Sequence, residues 1–438
     1  MHTAIIDAAM TLDDPVNTST PNRNQLGNRL GDRLHDEPDR RPSSQLRRGS
    51  DRRRQHHTAL TLVAIGALVF SGCSGSDGGD RRASDTKSKS TVDRKAALAS
   101  IADDVIVPGL EELSTQTGKL LPALEAHCAG PTPESLTTAQ SAWDAAADAW
   151  AATAAFRFGP GAKLRSAAGI SYPINATKIE KLFAPGGDFA TTTPTPELVA
   201  DMGADKRGLG AIEYLLFAPS DAEAMGIDDG GEQCAFAVAA AQDVDTNAKA
   251  LAQAWTTGSS ELDHPGPFSE QFRVPGSKSM YGNQQEAIDD AINAMSSALQ
   301  GVGDMILGEA TGKTSGEPDP AGADPGHAQR RLGDAKASLS SVMRVFGNGD
   351  ERLSGVVAAQ SSKADNDAGA SFMAALEKAQ AELDRVPKPI AMLTPEAASS
   401  GPLAEAFKHV NDARVVLRTE VASQLGVTIG FSDADGDG

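Results

Sequence analysis

The sequence predicts an all-α protein built from two helical bundles in tandem. Three observations carry this expectation. Apolar residues recur every three or four positions through long stretches of the chain. Long strand-like alternation is absent, and aromatic residues make up only 4% of the chain, with three Tyr and thirteen Phe. Pro and Gly punctuate the periodic stretches at helix-length intervals. At 438 residues the chain suffices for two ordinary domains and a sizeable core.

The first 57 residues are polar, Arg-rich and without apolar periodicity. They read as disordered, or as the product of an upstream start codon. Arg52-Arg53-Arg54, an apolar run over 59–70 and the small residues Ser71-Gly72 follow. A basic stretch, a short apolar core and small residues make a secretory signal, and the run is short for a membrane span. Phe70-Ser71-Gly72-Cys73 resembles the lipobox of bacterial lipoproteins, with Phe70 where leucine is usual. That resemblance implies lipidation of Cys73 and a membrane as partner through the N-terminal lipid. The alternative is an ordinary signal with an incidental cysteine. Residues 73–92, mostly Gly, Ser, Asp and Lys, read as a flexible tether. By resemblance to lipoprotein sorting, Ser74 rather than Asp after the cysteine implies the outer membrane in a cell with two membranes, and otherwise the outer face of the plasma membrane.

The helices follow in order. Residues 93–126 carry helical periodicity, with Pro108 marking a start or a kink. Residues 133–156 form a second helix, on which Ala139, Trp143, Ala146, Ala147, Trp150 and Ala154 make one apolar stripe. Its tryptophans read as core. Arg157-Phe158-Gly159-Pro160 ends that helix, because a Gly-Pro step cannot continue it. A short helix over 174–183, a loop over 184–196 and a helix over 208–217 stopped by Pro219 come next. A long Ala-rich helix covers 232–255. The Gly, Ser and Pro of 256–283 place a boundary there, giving bundles over 93–265 and 266–438. The second bundle takes helices over 284–307, 327–346, 364–385 and 403–425, with a Gly/Pro/Asp loop at 312–325.

The formal net charge is −19, and residues 1–72 hold ten Arg against eight acidic residues, so the rest is more acidic still. This balance argues against nucleic acid as a partner. Beyond Cys73 the chain has two cysteines, Cys128 and Cys234. In an oxidising compartment such a pair is a disulfide candidate, the alternative being two small residues that never meet.

Arg207-Gly208-Leu209-Gly210-Ala211-Ile212-Glu213 opens the helix over 208–217. It resembles the signature Gly-x-His-x-x-Glu of the imelysin-like family, with Gly208 and Glu213 in register and Gly210 at the histidine position. Further segments are similar to that family in order and spacing: Ala142-Trp143 through Phe156-Arg157-Phe158-Gly159-Pro160, Tyr172-Pro173-Ile174-Asn175, Val386-Pro387-Lys388-Pro389 and the ending from Leu425 to Phe431. The resemblance implies an all-helical imelysin-like fold and a cell-envelope protein tied to iron regulation or uptake. It also brings the family's metallopeptidase label.

A His and a Glu three apart share a helix face and can hold a metal, so the resemblance makes Glu213 a candidate ligand for iron or another divalent metal. Arg157 is its candidate neighbour, and Gly208 and Gly210 complete the motif. The glycines alternatively serve a close backbone approach or a tight helix start. Beyond Cys73 the histidines are His127, His264, His327 and His409, and none forms His-Glu-x-x-His. No nucleophile elbow or phosphate-binding loop is present. The sequence therefore predicts a ligand-binding protein with no catalytic residue, handing its ligand to metal-uptake proteins. The alternatives are a metallopeptidase with a substituted histidine and a structural envelope protein with a decayed site. Asp433-Ala434-Asp435-Gly436-Asp437-Gly438 matches the start of a calcium loop but lacks its closing glutamate, and reads as an exposed acidic tail.

Overall fold

The computed structural model describes residues 93–171, 173–217, 231–349, 351–360 and 367–430. The secretory signal, Cys73, the tether, Tyr172 and the acidic tail lie outside the described residues. Among the described residues all regular structure is helical and no strand occurs.

Helix α1 (Arg94–Ile101) starts at Asp93, whose carboxylate accepts from the Lys95 N–H at 2.9 Å. A π-helical turn over Ala102–Ile106 joins it to α2 (Val107–Ala129). Pro108 lacks the N–H that would bond residue 104, and the wider turn, closed by Val107 N–H on the Ala102 carbonyl, precedes it. Pro108, expected to mark a start or a kink, stands in the first turn of α2, where the helix type changes. Helix α3 (Pro133–Ala151) opens with a reciprocal cap between Thr132 and Ser135. It stops sooner than its apolar stripe predicts, passing into a 3-10 turn at Ala154–Phe156. Helices α4 (Ala176–Phe183), α5 (Gly208–Leu216) and α6 (Glu232–Thr256) complete the first group, in which α2 lies against both α3 and α6. A disulfide between Cys128 and Cys234 ties the end of α2 to the start of α6, with Cα atoms 5.7 Å apart.

The segment 256–283 carries a short helix, Phe268–Arg273, that its Gly/Pro content hides. Phe268 and Phe272 are buried against Trp255, with ring centroids 4.8 and 5.8 Å away, and Tyr281 closes the cluster 5.7 Å from Phe268. Edge-on aromatic contacts of this kind add about 0.5–1.5 kcal/mol each beyond their burial. Gly159, at φ +54°, meets the same cluster, and a Cβ there would come within 2.6 Å of the Phe268 ring.

Helix α7 (Gln284–Gln300) runs on as a π-helical stretch over Gly301–Gly308. Helix α8 (Arg331–Phe346) begins four residues later than the sequence predicts. Gln329 takes a left-handed backbone, φ +51°, so 325–330 is a loop and His327 lies on it. Helices α9 (Ala368–Asp384) and α10 (Pro402–Val416) pair closely, and α8 lies against α9 and also against α3. The 3-10 turn at 154–156 lies against both α7 and α8. One cluster of buried apolar side chains runs through all these helices, from Ala97 to Leu425.

Candidate ligand-binding site

A cleft of about 920 Å³ opens beside the 3-10 turn at 154–156. Helix α3 supplies Trp143, Ala147, Trp150 and Ala151, and α5 supplies Leu209, Gly210, Glu213 and Tyr214. The opposite wall comes from α7, from Gly301, Val302, Met305 and Ile306 of the π-helical stretch, and from 324–338 around the start of α8. The wall is largely apolar with a few charged groups, the composition of a small-molecule site. A π-helical stretch in that wall fits the habit of such turns at functional sites. The tryptophans serve two purposes. Trp143 and Trp150 are 2% and 6% exposed, so they are core, yet their edges line the cleft. Trp143 is fixed by its indole N–H, which donates to the Leu209 carbonyl at 2.8 Å.

Glu213 faces the cleft from α5, and its Oε1 accepts from the Ala328 N–H at 3.0 Å. The late start of α8 leaves that N–H available. Gly326 makes the approach feasible, because a Cβ there would stand 2.3 Å from Glu213 Oε1. Burial raises the Glu213 pKa above its ordinary value. The Ala328 N–H and the charges of Arg331 and Arg330 oppose that rise, while Asp334 adds to it. The neighbouring Tyr214 stacks at 5.3 Å on His327 and donates to Glu180 Oε1 at 2.6 Å. Burial and Glu180 push its hydroxyl up to about 12.

Arg157 follows the 3-10 turn and lines the same cleft. Its guanidinium lies 3.8 Å from the centre of the Trp150 ring. Nε donates to Thr153 Oγ1 at 3.0 Å and Nη2 to the Trp150 carbonyl at 2.6 Å. Burial pulls its pKa down to about 10, with Asp334 acting weakly against it. Arg330 is handled differently. It bonds Asp334 and Asp148, each at 2.8 Å, reaches Asp144 at 3.5 Å and sits over Trp143 at 5.4 Å.

The cleft thus brings together Gly210, Glu213 and Arg157, three of the residues singled out from the sequence. Gly208 is not in its wall. It is a backbone device: φ is +77°, and a Cβ would lie 2.9 Å from the Ile170 carbonyl oxygen. Sequence reasoning missed Arg330, Arg331, Asp324 and the cleft role of His327. The dipeptide Arg330-Arg331 after Pro325-Gly326 was a visible signal, but its neighbours in space were not.

Metal-ligating chemistry is sparse. Among the described residues no group of three or more His, Cys, Asp or Glu is placed to hold a metal ion. Glu213 has His327 on the adjacent loop, but its Oε1 is already taken by Ala328. Asp290 accepts from the Tyr281 hydroxyl at 2.8 Å and Asp324 from the Arg331 N–H at 3.4 Å, and burial raises both carboxyls. This donor set does not fit a bare divalent ion.

Two crystal structures share the fold. An imelysin-like protein from Psychrobacter arcticum aligns with a TM-score of 0.60 and 18% identity, covering 78% of this chain and 98% of its own. A protein described as an iron-regulated protein A precursor from Parabacteroides distasonis aligns with a TM-score of 0.63 and 18% identity, covering 76% and 95%. No curated protein matches the chain. The family model described as Imelysin matches residues 106–416, which takes in the helix of Gly208 and Glu213, the Arg157 turn and every wall of the cleft, and the chain belongs to the imelysin family.

Proposed function

We propose that this is a lipid-anchored envelope protein that binds its ligand in the cleft without transforming it, and that the ligand is a metal carried as an organic complex for iron or metal uptake. One observation carries the reading: the signature positions Gly210 and Glu213 meet Arg157 in a largely apolar cleft whose donor set is too poor for a bare ion. The name of the Parabacteroides relative, an iron-regulated protein, supports the link to iron. Lipid at Cys73 would keep the cleft at the membrane surface, and the tether would let it reach an uptake partner.

The test is melting temperature and metal content of the chain beside Glu213→Ala and Gly210→His, with the iron(III) complex of salicylate, salicylate alone and iron or zinc salts. Stabilisation of the wild type by the complex and not by the salts is expected. Gly210→His restores an imidazole on the Glu213 face and should gain a response to a bare divalent ion. No response to the complex would overturn the metal-complex reading. Incubation of the same preparations with unfolded casein separates it from the metallopeptidase alternative, which His327 keeps open as a replacement imidazole. Chelator-sensitive cleavage would put that alternative in its place.

A further inference from the structure

The cleft walls carry charges of both signs, and nearly all are answered within the protein. Asp290 accepts from Tyr281, Asp324 from the Arg331 N–H and Glu213 from the Ala328 N–H. Asp334 holds Arg330 at 2.8 Å and Arg331 at 3.9 Å. Among the three arginines of the wall, Arg157 is the one without an acidic partner. Its two hydrogen bonds go to a hydroxyl and a carbonyl, and it has no ion-pair partner among the described residues. Its Nη1 makes no hydrogen bond among the described residues, although the side chain lines the cleft.

Arg157 is partly buried, and withdrawing a cation from water without a counter-ion carries a desolvation cost. Arg157 is also held still. The Trp150 ring backs it at 3.8 Å and two hydrogen bonds fix the plane of its guanidinium. A fixed guanidinium with free N–H groups suits an oxyanion, which it meets in a planar, charge-assisted geometry. Beyond Arg157 the wall turns apolar, through Phe158, Ile174, Val302 and Ile306. Met305, 53% exposed, is a large apolar side chain in that wall left open to solvent.

We infer that the cleft selects an amphipathic organic anion, an apolar ring-bearing body carrying a carboxylate- or sulfonate-type group, and that Arg157 anchors the oxyanion while the apolar wall covers the body. The inference rests on the cleft being the ligand site and adds the chemical class of what enters it. It assigns Arg157 a binding role separate from the Glu213 helix.

The test pairs two fluorescent probes that share a skeleton: 8-anilinonaphthalene-1-sulfonate, which is anionic, and N-phenyl-1-naphthylamine, which is neutral. Both are titrated into the full chain, Arg157→Gln, Arg157→Lys and Ala294→Trp, with far-UV circular dichroism confirming each fold. The expected result is saturable binding of both probes, lost in Ala294→Trp because the indole fills the cleft. Arg157→Gln should weaken the sulfonate at least about tenfold, the value of one charge-assisted hydrogen bond, and change the neutral probe less than about twofold. Arg157→Lys, which keeps the charge and loses the planar fork, should fall between. If Arg157→Gln weakens both probes alike, or neither, the anchor is overturned and the cleft stands as a ligand site. If neither probe saturates, or Ala294→Trp changes nothing, the cleft reading falls and the anchor with it.

Discussion

Glu213 shows what a single residue in this wall does. Burial raises its pKa, so the folded protein holds its proton to higher pH than the unfolded chain does. The sign follows from linkage: in the window from the unfolded glutamate range up to the raised value, the native state binds more protons, so stability falls as pH climbs. Ionised Glu213 is therefore a liability at neutral pH that its one backbone hydrogen bond only partly offsets. Glu213→Gln keeps an oxygen for the Ala328 N–H and cannot ionise. Urea midpoints of the wild type and the variant across pH 4–8 should diverge, the wild type losing ground as pH rises. Parallel curves would remove the argument. None of this was legible in the sequence beyond the identity of Glu213, because its burial and its bond to Ala328 come from a segment 115 residues away. Gly208 was half legible: a glycine at a helix start announces a special backbone, but not that Ile170 is what it must clear.

Among the elements, legibility followed local signals. The start of α3 was readable because its cap is local, Thr132 with Ser135, whereas α9, expected from 364, starts only at Ala368, after Asp367, whose carboxylate accepts from the Ala370 N–H. The start of α8 was not, since nothing in the periodicity of 327–330 shows that Gln329 turns left-handed. The helix at Phe268–Arg273 was hidden because a six-residue helix carries too few turns for a period. The disulfide is the strongest constraint between elements. It closes a loop of sequence separation 106 between α2 and α6, which the chain-entropy model values at about 4–5 kcal/mol. The variant with Cys128→Ser and Cys234→Ser should unfold at a clearly lower urea concentration, with binding intact below the midpoint. An unchanged midpoint would mean that the unfolded chain gains nothing from losing the link.

For the whole molecule, the helical class was legible from composition and spacing, whereas the cleft was not, because it exists only where early and late helices meet. Arg330 is one of the side chains that cross this meeting. It is 14% exposed and reaches from the start of α8 to Asp144 and Asp148 on α3 while covering the Trp143 ring. Asp144 and Asp148 are more than half exposed, so solvent screening discounts their charge pairing with Arg330. The packing over Trp143 and the bonds to Asp334 and Asp148 remain. Arg330→Met should cost about 1–3 kcal/mol by chemical denaturation, against little for Arg385→Met, whose guanidinium is 67% exposed. Equal costs would show that Arg330 is ornament rather than a tie between the two sides.

The π-helical stretch over Gly301–Gly308 has a consequence for how this site can change. A helix widened in this way behaves as one that has accepted an extra residue, and the rest of the rod is turned by about 100° from its unbroken course. Losing one residue there would heal the helix and swing the following face round, exchanging which of Met305, Ile306 and Leu307 looks into the cavity. The lining is therefore open to revision by a single-codon deletion, a step that changes shape and polarity together where point substitution changes one side chain at a time.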